Sequence, residues 1–171
     1  MRHAVGGLLL AAWICCATPA TAGVPSLNED CRDRNNRPVP VRYDTSVSVF
    51  AEARPARPGS SGAAPVIIHV NPDVYFVGRQ TQQWLYRRQC VHILENHSVV
   101  RDGEKGLRLA DEEQADCAAL AAVAGPSSSP ASSRAVRASI ESDMQRASRD
   151  DKWHRLLPGP QRRISLERCA G

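Results

Sequence analysis

Aromatic residues are scarce in this chain, at 5% of its 171 residues, and its charges are close to balanced. The 22 lysines and arginines stand against 18 aspartates and glutamates, and acidic residues are interspersed among them along the sequence. A nucleic-acid-binding surface needs basic residues gathered on one face, and no segment shows such a cluster. We therefore expect no nucleic-acid partner.

Long apolar runs are missing beyond the N-terminus. Met1-Arg2-His3 is a short basic start, residues 4–17 are apolar and uncharged, and Pro19-Ala20-Thr21-Ala22 offers the small residues that a signal peptidase reads. This pattern predicts a signal peptide over residues 1–22 and a mature single domain over residues 23–171. No later segment approaches the roughly eighteen apolar residues of a membrane span. We expect an exported protein, periplasmic or extracellular, with no membrane span after cleavage.

The sequence contains no C-x-x-C pair, which argues against a cysteine-rich zinc site. Four cysteines remain beyond the signal peptide, namely Cys31, Cys90, Cys117 and Cys169. An even number of cysteines in an exported chain predicts a disulfide framework. At this level the sequence leaves three connectivities open.

Hydrophobic periodicity indicates an α+β fold. Three short strands are predicted, over residues 41–43, 46–53 and 66–70. Three helices are predicted, over residues 81–96, 109–123 and 135–147. Thr81 is the expected N-cap of the first helix, which is apolar over most of its circumference and should lie in the middle of the fold. A Ser/Pro-rich stretch near residues 126–133 is predicted to be a linker.

The most informative segments are Arg88-Gln89-Cys90-Val91-His92 on the first helix and Glu112-Glu113-Gln114-Ala115-Asp116-Cys117 on the second. An Asn71-Pro72 turn and a lead from Gln82 to Tyr86 precede them. In this order they resemble the gluzincin zinc metallopeptidases of the CAAX-prenyl-protease type, especially their small exported relatives. In that family one helix reads H-E-C-x-H and a second reads E-x-x-A-D. The resemblance spans residues 66–120 and implies a zincin-like domain, with a small N-terminal β-sheet packed on two central disulfide-linked helices and a C-terminal helical segment.

Zinc chemistry explains the spacing of these motifs. Two histidines four residues apart on a helix share one face and can bind one zinc ion, while the glutamate beside the first histidine takes a proton from the metal-bound water. On this alignment Arg88 stands at the first ligand position and Gln89 at the general-base position. His92 stands at the second ligand position, Glu112 at the third, and Asp116 at the position of the acid one turn further on.

Two of these positions depart from the family pattern. Arg88 stays protonated near neutral pH and repels a cation, and Gln89 cannot act as a base. We therefore expect no intact catalytic residue and no cofactor, in a pseudopeptidase that binds an unidentified peptide or protein. We also expect the Arg88 guanidinium to replace the missing cation by pairing with Glu112, Asp116 or both. The resemblance further implies a Cys90–Cys117 bridge between the two helices and a Cys31–Cys169 bridge between the termini.

Two other functions stay open at this stage. One is an active zinc metallopeptidase with an unusual ligand set, such as His92, His97 and Glu112, which a measurement of metal content would separate from the inactive protein. The other is a structural cell-envelope protein, which would have no defined pocket between the central helices.

Overall fold

The computed structural model describes residues 30–56, 66–97, 109–149 and 166–169. The signal peptide predicted for residues 1–22 lies outside the described residues. Within them the chain has the predicted α+β class, with a three-stranded sheet, three α-helices and two disulfides. None of these helices is long and apolar enough to cross a membrane.

The sheet has strand order β1-β3-β2, with β1 at Val41–Tyr43, β2 at Ala51–Pro55 and β3 at Val66–Val70. β3 runs parallel to β1 and antiparallel to β2. The bounds of β1 and β3 are as predicted, whereas β2 begins later than predicted. The Asp44 carboxylate accepts a hydrogen bond of 2.8 Å from the Ser46 N–H. This local turn keeps the residues after β1 out of the sheet.

The three helices are α1 at Arg79–Leu94, α2 at Leu109–Ala124 and α3 at Pro130–Ser148. A short 3-10 helix at Pro72–Phe76 precedes α1, and Asn71 caps it. The helix α1 contacts the sheet, α2 and α3, and most of its residues are buried. The predicted central position of α1 is therefore confirmed.

The N-terminus of α1 is capped by a side chain from another helix. Its N-cap residue is Gly78, not Thr81 as predicted, and Gly78 has no side chain to accept a hydrogen bond. The Asp143 carboxylate of α3 takes this role, because its Oδ2 accepts from the Gly78 N–H at 2.7 Å and from the Thr81 hydroxyl at 2.6 Å. A Cβ atom on Gly78 would lie 3.0 Å from the same oxygen, so glycine permits the close approach.

The predicted linker is shorter than residues 126–133, because α3 already begins at Pro130. Ser129 is its N-cap, and the Ser129 hydroxyl accepts from the Ser132 N–H at 3.1 Å. Proline at the first helical position lacks an N–H that would otherwise have no intrahelical partner. The Ser/Pro composition of this stretch therefore marks a helix start.

The predicted disulfide pairing is wrong. Cys31 is bonded to Cys90, and Cys117 is bonded to Cys169. The helix α1 meets α2 through the side that carries Arg88, and Cys90 lies two residues further on, about 200° around the helix axis. Cys90 therefore faces away from α2 and reaches the segment before β1. Each bridge ties a flanking segment to a central helix, and neither joins α1 to α2.

Replacing both Cys31 and Cys90 with alanine should leave no free thiol, since the Cys117–Cys169 bridge stays intact. The pairing that the resemblance implied would instead leave two free thiols, on Cys117 and Cys169. Thiol titration of the unfolded, unreduced variant distinguishes the two pairings. The lost bridge closes a loop with a sequence separation of 59. The chain-entropy relation then gives a loss of about 4 kcal/mol in the free energy of unfolding.

Asp143→Ala should lower the free energy of unfolding by about 2–3 kcal/mol, because two donors at the start of α1 lose a charged acceptor. Arg146 also pairs with Asp143, but its side chain is 57% exposed. Arg146→Gln is therefore the matched control and should cost less than about 1 kcal/mol. Urea denaturation followed by circular dichroism measures both. Equal losses in the two variants would contradict the capping role of Asp143.

Candidate functional site

The guanidinium of Arg88 lies buried between α1 and α2 and pairs with two carboxylates. Arg88 is 3% exposed. Its Nε donates to Asp116 Oδ1 at 2.8 Å, and its Nη2 forms an ion pair with Glu112 Oε2. The prediction that Arg88 pairs with Glu112, Asp116 or both is confirmed, and the contact is with both.

Helix geometry brings these three residues together. Glu112 and Asp116 are four residues apart on α2, so their side chains leave the same face of that helix. Trp84 lies one turn before Arg88 on α1, and its indole N–H donates to the Asp116 carbonyl oxygen at 3.1 Å. A second contact between α1 and α2 therefore holds the helices at the distance that the ion pairs need.

A histidine pair extends the cluster beyond the end of α1. Asn96 adopts a left-handed backbone conformation with φ 54°, which turns the chain back on itself. The His97 N–H donates to the His92 carbonyl oxygen at 3.0 Å, and the Asn96 N–H donates to the Ile93 carbonyl oxygen at 3.3 Å. This is the Schellman pattern of helix C-termini, and asparagine tolerates the left-handed position better than most residues. The turn places the His97 ring against the His92 ring.

The two rings form one hydrogen bond to each other. Their Nδ1 atoms are 3.0 Å apart, so one ring donates its Nδ1–H and the other accepts. The Nε2 atoms face carboxylates of α2 at longer distances, 3.9 Å from His92 to Glu112 and 3.8 Å from His97 to Asp111. Asp111 and Glu112 both lie in the first turn of α2, where the helix dipole favours negative charge.

Gln89, at the alignment position of the catalytic base, lies outside this cluster. Its Oε1 accepts from the Ala53 N–H of β2 at 3.1 Å, and Gln89 is 6% exposed. The amide therefore ties α1 to the sheet. A side chain engaged in this way directs its carbonyl oxygen at the backbone of β2 instead of at the arginine and histidine cluster.

The residues present do not fit a zinc ion. A catalytic zinc site needs three protein donors that converge on one point, with a position left for water. Here the Arg88 guanidinium occupies the first donor position and already contacts Glu112, the third. Across the described ranges, no group of three or more His, Cys, Asp or Glu residues is arranged to hold a metal ion. We therefore derive no chemical step through zinc.

Comparisons of the chain with protein-family models, curated proteins and solved structures found no match. The resemblance to zinc metallopeptidases therefore remains an expectation from the motifs around Arg88 and Glu112. The geometry of the cluster stands independently of that resemblance, because it follows from the contacts between α1 and α2.

The structure adds a hydrogen-bonded pair of side chains that the sequence analysis did not single out. His69 Nδ1 on β3 lies 3.0 Å from Asp44 Oδ2. Hydrogen bonds from the hydroxyl and backbone N–H of Ser46, with a further contribution from His69, lower the pKa of Asp44 to about 2. The sequence signal was present in Asp44-Thr45-Ser46, because an aspartate two residues before a serine commonly forms such a turn. The pair lies at the sheet, away from Arg88, and we assign it no functional role.

Arg88→Ala should lower the free energy of unfolding by about 3–5 kcal/mol, because it leaves Glu112 and Asp116 without their cation inside the protein. Arg79→Ala is the matched control, since Arg79 is exposed at the start of the same helix, and it should cost less than about 0.5 kcal/mol.

Neutralising the carboxylates tests the cause of that loss. In an Arg88→Met background, the added changes Glu112→Gln and Asp116→Asn should recover part of the lost stability, because no unpaired buried charge remains. Urea denaturation measures the free energy of unfolding of the parent and of each of these variants. An Arg88→Ala variant as stable as the parent would contradict the structural role of the ion pairs.

Proposed function

We propose that this protein is an exported, catalytically inactive metallopeptidase-like protein that acts by binding a peptide or protein partner. The observation that carries the proposal is the buried Arg88 guanidinium, paired with Glu112 and Asp116 at the position where the family resemblance expects a zinc ligand. The permanent positive charge of Arg88 repels a metal cation at that point. Arg88 also pairs with Glu112, the carboxylate that would bind the metal.

The surroundings of Arg88 support the same proposal. The Gln89 carboxamide cannot accept a proton from water, and its Oε1 accepts from the β2 backbone. His92 and His97 share a direct hydrogen bond between their Nδ1 atoms. Each of the groups that a zinc peptidase would turn towards metal or water thus has a structural role in this chain.

Export is supported by the disulfides of the described residues. Both disulfides link distant parts of the chain, which is typical of proteins that fold in an oxidising compartment. A periplasmic or extracellular location remains part of the proposal.

A comparison of the zinc content of the parent with that of a matched variant tests the proposal that the protein is inactive. The parent should hold less than about a tenth of an equivalent of zinc by mass spectrometry, even after excess zinc is offered, with an unchanged Tm. The Arg88→His/Gln89→Glu variant restores the H-E-C-x-H motif and should bind close to one equivalent with a raised Tm. About one equivalent in the parent, together with a raised Tm, would overturn the proposal and favour an active peptidase.

The same parent preparation, incubated with a mixed peptide digest, tests the binding part of the proposal. An inactive binding protein should leave the mass of every peptide unchanged. Some of the peptides should elute together with the protein in gel filtration. Cleaved peptides would contradict the inactive state. If every peptide separates from the protein on the column, the result contradicts peptide binding. The proposal would then require a protein partner.

A further inference from the structure

A groove of about 560 Å³ lies between α2, α3 and the C-terminal segment, apart from the Arg88 cluster. Its volume falls in the range of about 300–1,000 Å³ that is typical of small-molecule sites. The walls come from the last turns of α2, the first turns of α3 and the short segment that contains Leu166 and Cys169. Gly125, Pro126 and Ser128, from the turn before α3, also line the groove.

Several contacts fix the walls of this groove. The Leu166 N–H donates to Glu141 Oε1 at 3.0 Å, which attaches the C-terminal segment to α3. The Cys117–Cys169 bridge attaches the same segment to α2. Within the lining, the hydroxyl groups of Ser128 and Ser133 lie 2.9 Å apart and share a hydrogen bond. The groove is therefore preorganised by a bond to each of the helices that line it.

The lining is apolar with a cationic rim. Leu120 and Leu166 are buried, and Ala121 and Ala124 add small side chains beside them. Arg134 and Arg137 are three residues apart on α3, so both guanidinium groups leave one face of the helix. Among the described residues the lining contains no acidic side chain.

We propose that this groove binds a single-chain amphiphile with an anionic head group. The head group pairs with Arg134 and Arg137, whose planar guanidinium groups match the geometry of carboxylates and phosphates. The hydrocarbon chain lies along Ala121, Ala124 and Pro130, apolar lining residues that keep accessible surface. From Pro130 to Arg137 the helix α3 rises about 10 Å, which suits a chain of medium length.

Decanoate, below the concentration at which it forms micelles, is the probe for calorimetric titration of the oxidised mature protein, residues 23–171. Decanoate should bind saturably with one site. Acetate, which has the head group alone, and decyltrimethylammonium, which has the opposite charge, should bind at least tenfold more weakly. Decyl phosphate distinguishes the head groups, because preference for it over decanoate would identify a phosphate-bearing ligand.

Variants test the placement of the ligand. Arg134→Gln/Arg137→Gln should weaken decanoate binding at least tenfold. The matched control Arg42→Gln/Arg79→Gln removes the same charge from exposed positions on β1 and α1 and should change the affinity less than twofold. Ala121→Trp, at an exposed position of the lining, should fill the groove and weaken binding at least tenfold with an unchanged Tm.

Three results would overturn the proposal. They are the absence of saturable binding of both decanoate and decyl phosphate, equal affinity for decyltrimethylammonium, and equal losses in the two double variants. Since the groove lies apart from Arg88, none of these results depends on the zinc measurement.

Discussion

The contact on which the arrangement of the central helices depends is the pairing of Arg88 with Glu112 and Asp116. No disulfide joins α1 to α2, because Cys90 and Cys117 are each bonded to a flanking segment. Non-covalent contacts must therefore hold the helix pair together. A buried charge is tolerated only when it is paired and hydrogen-bonded, so the guanidinium of Arg88 requires carboxylates beside it, and Glu112 and Asp116 supply them. This requirement specifies how the two helices are aligned along their axes.

The flanking segments and α3 also stabilise the two central helices. Cys31 holds the segment before β1 on the back of α1, and Cys169 holds the C-terminal segment on α2. Asp143 of α3 supplies the acceptor that the glycine at the start of α1 lacks. The central helices are therefore attached at several points to elements distant in sequence, so their orientation depends on the outer segments as well as on the ion pairs.

Local patterns in the sequence predicted the parts of the fold that local physics determines. The bounds of β1 and β3 and the start of α2 follow from short apolar runs and helical periodicity. The pairing of Arg88 was instead predicted from the resemblance, which places Arg88 at a ligand position beside Glu112 and Asp116. The disulfide pairing failed because it depends on which side of α1 faces which segment. The Asp143 cap was missed because its partner lies 65 residues away. The position of His97 could have been inferred from the asparagine before it, which favours a left-handed turn at a helix end.

The composition of α2 accounts for both the buried ion pairs on one side of this helix and the groove on another side. Seven of its sixteen residues are alanine. On the side towards α1, Ala115 and Ala119 are fully buried, and such small side chains allow the close approach that lets Arg88 reach its carboxylates. On the side towards α3, Ala121 and Ala124 leave open the space that larger side chains would fill. The groove and the buried ion pairs thus share one cause in the sequence, and lengthening a side chain at Ala121 should remove the first while leaving the second intact.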